Sequence, residues 1–546
     1  MHVNITEITA PDSNELSFTY DGSLPPSQTW VGVGAGTISG TVSQSYNTDF
    51  IVNQQCVSAG SNGENCIDYL YDLDNLLISS GELTISREAQ KAGLINGSTL
   101  DNITMVRTNS SFGEMSAEIS KHNTTTLLAA NYTRDKLGRI TERTLDIQGT
   151  SSTDVYSYND AGRLASVTNG TNGSITTSYI FDDNGNRLSK TIDDGTTPII
   201  TSGVYDEQDR LISYGNCNYQ YSKNGELQQK VCGTDTTNYI YDVIGNLMQV
   251  TLANGDEIDY LIDGLNRRIG KKVNGTLIQG FLYGDQLNPI AELDSDNNIV
   301  SQFIYGTKVN VPDYMVKGGF TYKIITDQLG SPRLIVNADT GEVAQQLDFD
   351  EFGLITQDTN PNFQPFGFAG GLVDNHTDLT RFGARDYDAV TGRWTSKDPI
   401  RFAGGDSNIY GYVFSDPVNF IDPKGEAIVI ITVTVIAAGG TWAYITGKKT
   451  KYDRKAYYDA IIKGDPQAIQ RAHKELQKDA LLYKGIGELA GMGLTLGKGI
   501  PGSTNETYVD AASRVFHATK DKISSELHLF SHYFDDESSN VKQCHE

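Results

Sequence analysis

At 546 residues the chain is too long for one ordinary domain and long enough to bury a large core. Its 55 Gly and 29 Tyr against 6 Met and 3 Trp favour many short strands and tight turns over a helical fold. Of 43 Lys+Arg and 68 Asp+Glu, residues 427–546 hold 15 and 14, so the net charge of −25 belongs to residues 1–426, where 28 basic residues face 54 acidic ones. That acidity argues against nucleic acid as a partner of the long N-terminal part. It suits a solvated exterior, or loops offering oxygen ligands to Ca²⁺.

The opening Met1-His2-Val3-Asn4 lacks the basic and apolar regions of a classical signal peptide. Cys56 and Cys66 bracket Gly60 to Gly63 and could close a small loop. From about residue 120 a repeat dominates. Tyr156-Ser157-Tyr158-Asn159 with Gly162-Arg163-Leu164 is followed by Tyr179-Ile180-Phe181-Asp182 with Gly185-Asn186-Arg187-Leu188, Tyr205-Asp206, Tyr239-Ile240-Tyr241-Asp242 with Gly245-Asn246-Leu247, and Asp263 with Asn266-Arg267. The residues just before the turns, at 158, 181, 205, 221, 241 and 262, recur at intervals of 23, 24, 16, 20 and 21. Weaker copies stand at Tyr71-Asp72 and Asp135. Each unit reads as strand, Asp/Asn-Gly turn and return strand. One hairpin is marginal alone, so the units must stack into a shared sheet. Asn224-Gly225 predicts a two-residue type I′ turn. Counting outwards places Cys217 opposite Cys232, within disulfide reach. Two local disulfides would fit an oxidising compartment.

These units resemble the YD repeats of RHS proteins: bacterial polymorphic toxins, the C component of Tc toxins and the teneurin shell. Further along, Thr326-Asp327-Gln328-Leu329-Gly330, Arg381-Phe382-Gly383-Ala384-Arg385-Asp386-Tyr387, Trp394, Asp398-Pro399 and Asp422-Pro423-Lys424-Gly425 follow the order of the RHS-associated core. The resemblance implies a mainly β fold in which the sheet coils into a hollow shell, closed by the core as a plug. It divides the chain into a shell at 1–320, a core at 321–426 and a variable C-terminal segment at 427–546 as enclosed cargo. Few repeat signals precede residue 120, which predicts a partial shell completed by an upstream segment or secretion partner. An immunity protein is a further implied partner, and the expected location is secreted or cell-surface. No cofactor or metal is implied.

In the family two core aspartates act as an aspartyl-protease-like pair and cut after D-P-x-G and one more residue, usually Leu. Asp398 and Asp422 match that pair, and the bond would be Glu426–Ala427. Two close carboxylates share a proton, so one can act as acid and the other as base. A Glu in place of Leu brings a third negative charge to the pair and predicts an uncut chain. In an uncut core both Asp-Pro steps simply cap turns.

Residues 427–446 carry no charge; they suit a segment buried in the shell or one entering a membrane. Helices are expected after Tyr452, broken at Gly464-Asp465-Pro466. His528 and His532 are four apart, so on a helix they share a face. They could serve as the acid and base of a nuclease, bind a metal, or be surface histidines without chemistry. Three readings stand: a toxin with enclosed effector, a surface or adhesive module with an inert tail, and an enzyme acting only on itself.

Overall fold

The computed structural model describes residues 5–430 apart from 11–14, 33, 35, 62, 92, 171–174 and 427–428. His528, His532, the helices expected after Tyr452 and the apolar run from residue 431 lie outside the described residues. The predominantly antiparallel β architecture expected from the repeats is what the structure has. Thirty-three strands, from Glu7–Thr9 to Ile355–Asp358, form a single sheet. Each pairs antiparallel with its neighbours in sequence, so the wall is one long meander. It runs on through Phe320–Thr326, Pro332–Asn337, Val343–Phe349 and Ile355–Asp358, and residue 320 marks no break in it.

The repeat's residues explain the turns. In Asp242 the Oδ1 atom accepts the N–H of Ile244 and of Asn246, both at 2.9 Å, while the backbone carbonyl accepts from Gly245 at 3.2 Å. The same clasp recurs at Asp135, Asp206 and Asp263. A carboxylate two residues from the turn centre satisfies N–H groups that the tight chain reversal leaves without ladder partners. The tyrosine just before the Asp ties one unit to the last: Tyr71, Tyr158 and Tyr205 donate to the carbonyls of Val52, Ile140 and Arg187, 18 or 19 residues earlier. Asp242→Ala leaves two amides without their acceptor and is expected to cost roughly 1–3 kcal/mol, seen as a lower midpoint in urea and faster amide exchange at 244 and 246.

The expected type I′ turn at Asn224-Gly225 is not formed. Ser222 accepts from Gly225 N at 3.1 Å and donates to Glu226 O at 2.8 Å. Gly225 alone of the pair has positive φ, +99°, because the Ser222 hydroxyl gathers the amides of residues 224 to 226. The extra residue in this longer turn is absorbed by a bulge beside Tyr221, and Cys217 again faces Cys232. The structure joins these two as a disulfide, and Cys56 with Cys66 likewise. Alkylation in denaturant without reductant should therefore label one thiol, Cys544, and all five cysteines after reduction.

The sheet winds past its own beginning. Trp30 Nε1 donates to Asp263, Ser39 N to Asn297, Ser61 to Asn298, Ser80 Oγ to Tyr305 O and Asn102 to Asp339 O, across separations of 225 to 258 residues. This nearly constant offset is one circuit of a spiral, and its buried seams hold Leu16, Trp30, Ile38 and Val42 with Leu277 and Phe281, and Leu83, Leu100 and Leu128 with Ile325 and Leu334. A separate four-stranded sheet, Leu372–Asp374 to Arg393–Trp394, carries the core. It lies on successive wall turns through Asn408 to Asn186 (2.8 Å), Tyr410 to Gly225 O (2.7 Å), Arg381 to Asn246 (3.1 Å) and Arg268 to Asp386 (2.8 Å). Phe368, Phe382, Tyr387, Trp394 and Tyr412 pack into its centre, with ring centroids 4.5 Å apart for Tyr387 and Tyr412.

Candidate functional site

The structure brings Asp398 and Asp422 together around a residue to which the sequence assigned no role. Arg385 projects from the strand Arg385–Asp388. Its Nη2 lies 2.9 Å from Asp398 Oδ2 and 3.1 Å from Asp422 Oδ2. All three are buried. The guanidinium carbon stands 4.1 Å above the Trp394 ring, and Nε donates to Gly425 O at 2.6 Å. A planar fork with several donors can serve two carboxylates and a carbonyl at once, which an ammonium could not do.

The segment between Asp422 and the expected cut is held just as closely. Asp422 Oδ1 accepts the N–H of Glu426 at 3.1 Å, and Ala384 N donates to Lys424 O at 2.9 Å. Gly383 faces the Lys424 carbonyl and Gly425 the Phe382 carbonyl, with φ of +41° and +62°; a Cβ there would stand 2.4 and 2.5 Å from the facing oxygen. This contact is the physical reason for glycine in D-P-x-G. Val429–Ile430 pairs antiparallel with Phe420–Ile421. Of the apolar run, the described Val429–Ile430 is a strand.

Gly404 is the second residue the sequence left unassigned. A Cβ built there would lie 2.8 Å from Asp398 Oδ2 and 2.8 Å from Glu426 O, so the carboxylate and the carbonyl before Ala427 border the same small gap. That gap, shared with Arg385 and Asp422, admits about one water molecule. Burial, more than the nearby Asp422 and Glu426 charges, pushes Asp398 up to about 6, although Arg385 and the amide of Ile400 act the other way. Asp398 is thus a carboxyl raised towards neutrality that shares the Arg385 guanidinium with Asp422.

The Teneurin YD-shell family model matches residues 2–418. The chain belongs to the Teneurin YD-shell family. Teneurin-4 of Mus musculus is 33% identical over 196 residues, covering 35% of this chain and 7% of that protein. The tRNA3(Ser)-specific nuclease WapA of Bacillus spizizenii is 27% identical over 241 residues, 42% of this chain and 10% of that one. The chain thus spans a tenth or less of these two curated relatives. Among solved structures, TcdB2-TccC3-Cdc42 superposes with a TM-score of 0.51 at 15% identity, over 76% of this chain and 22% of that one. The Photorhabdus luminescens Tc holotoxin pore gives 0.50 at 15% identity, over 78% and 22%. These likenesses establish the YD shell as the fold.

Proposed function

We propose that this YD shell encloses its own C-terminal segment as cargo, in the manner of an RHS toxin component, and can sever the Glu426–Ala427 bond through Asp398 and Asp422. The observation that carries the reading is the convergence of Asp398, Asp422 and Arg385 on Gly425 and Glu426. In the cut, water adds to the Glu426 carbonyl carbon and gives a proton to Asp422, which lies against Arg385. Asp398 in its acid form hydrogen-bonds the carbonyl oxygen as negative charge develops there. The C–N bond then breaks, and the amine of Ala427 leaves with a proton from the pair. The one-water gap and the rise in Asp398 support these roles. The carboxylate of Glu426, added to the same gap, opposes the developing negative charge and slows the step.

The cargo reading draws support from a further solved neighbour, described as TcdB2-TccC3 without its hypervariable C-terminal region, and from the nuclease name of WapA. We assign the cargo's activity either to His528 and His532 or to membrane entry by 427–446. Expressed inside bacteria, residues 427–546 should halt growth while the intact chain does not. His528→Ala and His532→Ala relieve that toxicity in the first case; charges at Val433 and Ile436 relieve it in the second. A segment 427–546 that is harmless when expressed overturns the cargo reading. It would favour a secreted or surface-displayed binding shell, for which the teneurin relatives are the supporting observation.

A further inference from the structure

A cavity with room for about two water molecules lies between the wall and the core, with Pro423, next to Asp422, on its border. Arg267 and Arg268 reach it from the wall and Arg381 from the core strand Leu379–Phe382. All three are deeply buried, at 3, 6 and 3% exposure, and no acidic side chain lines the cavity. Behind them stand two carboxylates. Asp263 pairs with Arg267 at 2.7 Å, and Asp386 is shared by Arg268 at 2.8 Å and Arg381 at 2.9 Å. Three buried guanidiniums thus share two directly paired carboxylates, with Asp374 acting on Arg268 from further off, in a part of the chain that is otherwise strongly acidic. The Nε atoms of Arg268 and Arg381 are also buried without an acceptor among the described residues. Buried cations normally have paired charge and filled donors; here direct ion partners are fewer than the cations and two donors are unfilled.

We infer that this cavity is a binding site for one small inorganic oxyanion of the phosphate or sulfate class, held between Arg267 and Arg268 of the wall and Arg381 of the core. Guanidinium forks match the spacing of oxyanion oxygens. Such an ion pairs with the guanidiniums and bridges wall to core across the line where the two meet. The Gln286 and Asn288 amides at the cavity offer further neutral donors. The ligand is a free ion rather than a phosphate on a larger molecule, because Phe366, Leu372 and Phe382 close the remaining walls with apolar surface.

The test is thermal unfolding of the full chain, dialysed free of phosphate and sulfate, then titrated with sodium phosphate against sodium chloride at matched ionic strength. Wild type should show a saturable rise of roughly 3 °C in Tm with phosphate beyond the chloride control, and calorimetry should give one site. Leu287→Asp puts a tethered carboxylate at the cavity; it should fold, melt no lower than wild type in phosphate-free buffer, and lose the phosphate response. Arg268→Gln should lose the response as well. A phosphate effect that never saturates, or that Leu287→Asp retains in full, is a general salt effect and overturns the site. So does an unchanged wild-type Tm.

Discussion

Purified at pH 7.5, the chain is expected to run as one intact band, and at pH 5 to release slowly a 120-residue fragment beginning at Ala427. The pH dependence follows from Asp398. Its carboxyl titrates near 6 in the fold, so above that pH the acid form falls about tenfold per unit. Cleavage should accelerate as pH drops towards 6 and level off below it. Asp398→Asn and Asp422→Asn should each abolish the fragment at every pH, an effect of at least 10³-fold if the pair acts as a unit. Glu426→Leu removes the third carboxylate from the gap and should raise the rate at pH 7.5 by roughly tenfold or more, the equivalent of about 1.4 kcal/mol. N-terminal sequencing of the fragment reads all of these. If Glu426→Leu is as inert as wild type at both pH values, the aspartates are a structural clasp and the self-cleavage reading fails.

Gly404→Ala separates clasp from catalyst. Its methyl group would occupy the space between Asp398 Oδ2 and Glu426 O without removing any charged group. In the Glu426→Leu background it should stop cleavage while leaving Tm within a few degrees. A purely structural role for the aspartates predicts no change in banding at all.

How far the sequence discloses this molecule depends on range. The repeat was legible because its chemistry is local: an Asp gathers amides two and four residues on, and a Tyr reaches back 18 or 19 residues, so the pattern is written in order along the chain. The Cys217 and Cys232 pairing was readable for the same reason, even though the turn between them was of another type; a bulge restored the count. Asp398 and Asp422 were found through the core motif. Arg385 and Gly404 were in plain view in that motif, yet their roles are set by contacts 6 to 40 residues away. Nothing local distinguishes an arginine that bridges two carboxylates from one that caps a strand. The arginines at the wall–core cavity were harder still, since Arg267 and Arg381 meet only after the sheet has coiled and the core has settled on its turns.

Replacing Asp416 by Asn is expected to stabilise the protein at pH 8 and to leave it nearly unchanged at pH 4. Asp416 is 1% exposed and has no ion pair at contact distance among the described residues. Its two oxygens accept from Asn419 Nδ2, at 2.9 and 3.0 Å, and from the backbone amides of Val418 and Asn419. Asn419 in turn holds the wall, through Tyr158 Oη at 2.8 Å and the N–H of Ile140 at 2.9 Å. Arg139, 4.5 Å from the Tyr158 ring, is the nearby cation, with Asp135 paired to it. Burial raises Asp416 to about 7 against the hydrogen bonds of Asn419 and the backbone. An acid whose folded value lies above its ordinary 3.8 prefers its proton when folded. Between pH 4 and 7 the folded chain therefore binds more protons than the unfolded one, and stability falls as pH rises through that window. At 1.36 kcal/mol per unit the full swing is about 4 kcal/mol, less whatever the remaining exposure screens. Asn keeps an acceptor for Asn419 and carries no charge, so its stability profile should lack this fall. Urea midpoints of both proteins at pH 4, 6 and 8 give the comparison, with amide exchange at Ile140 reporting whether the core has loosened from the wall. Parallel profiles for Asp416→Asn and wild type would show that this carboxylate ionises without cost, and that the wall–core contact at Asn419 does not respond to pH.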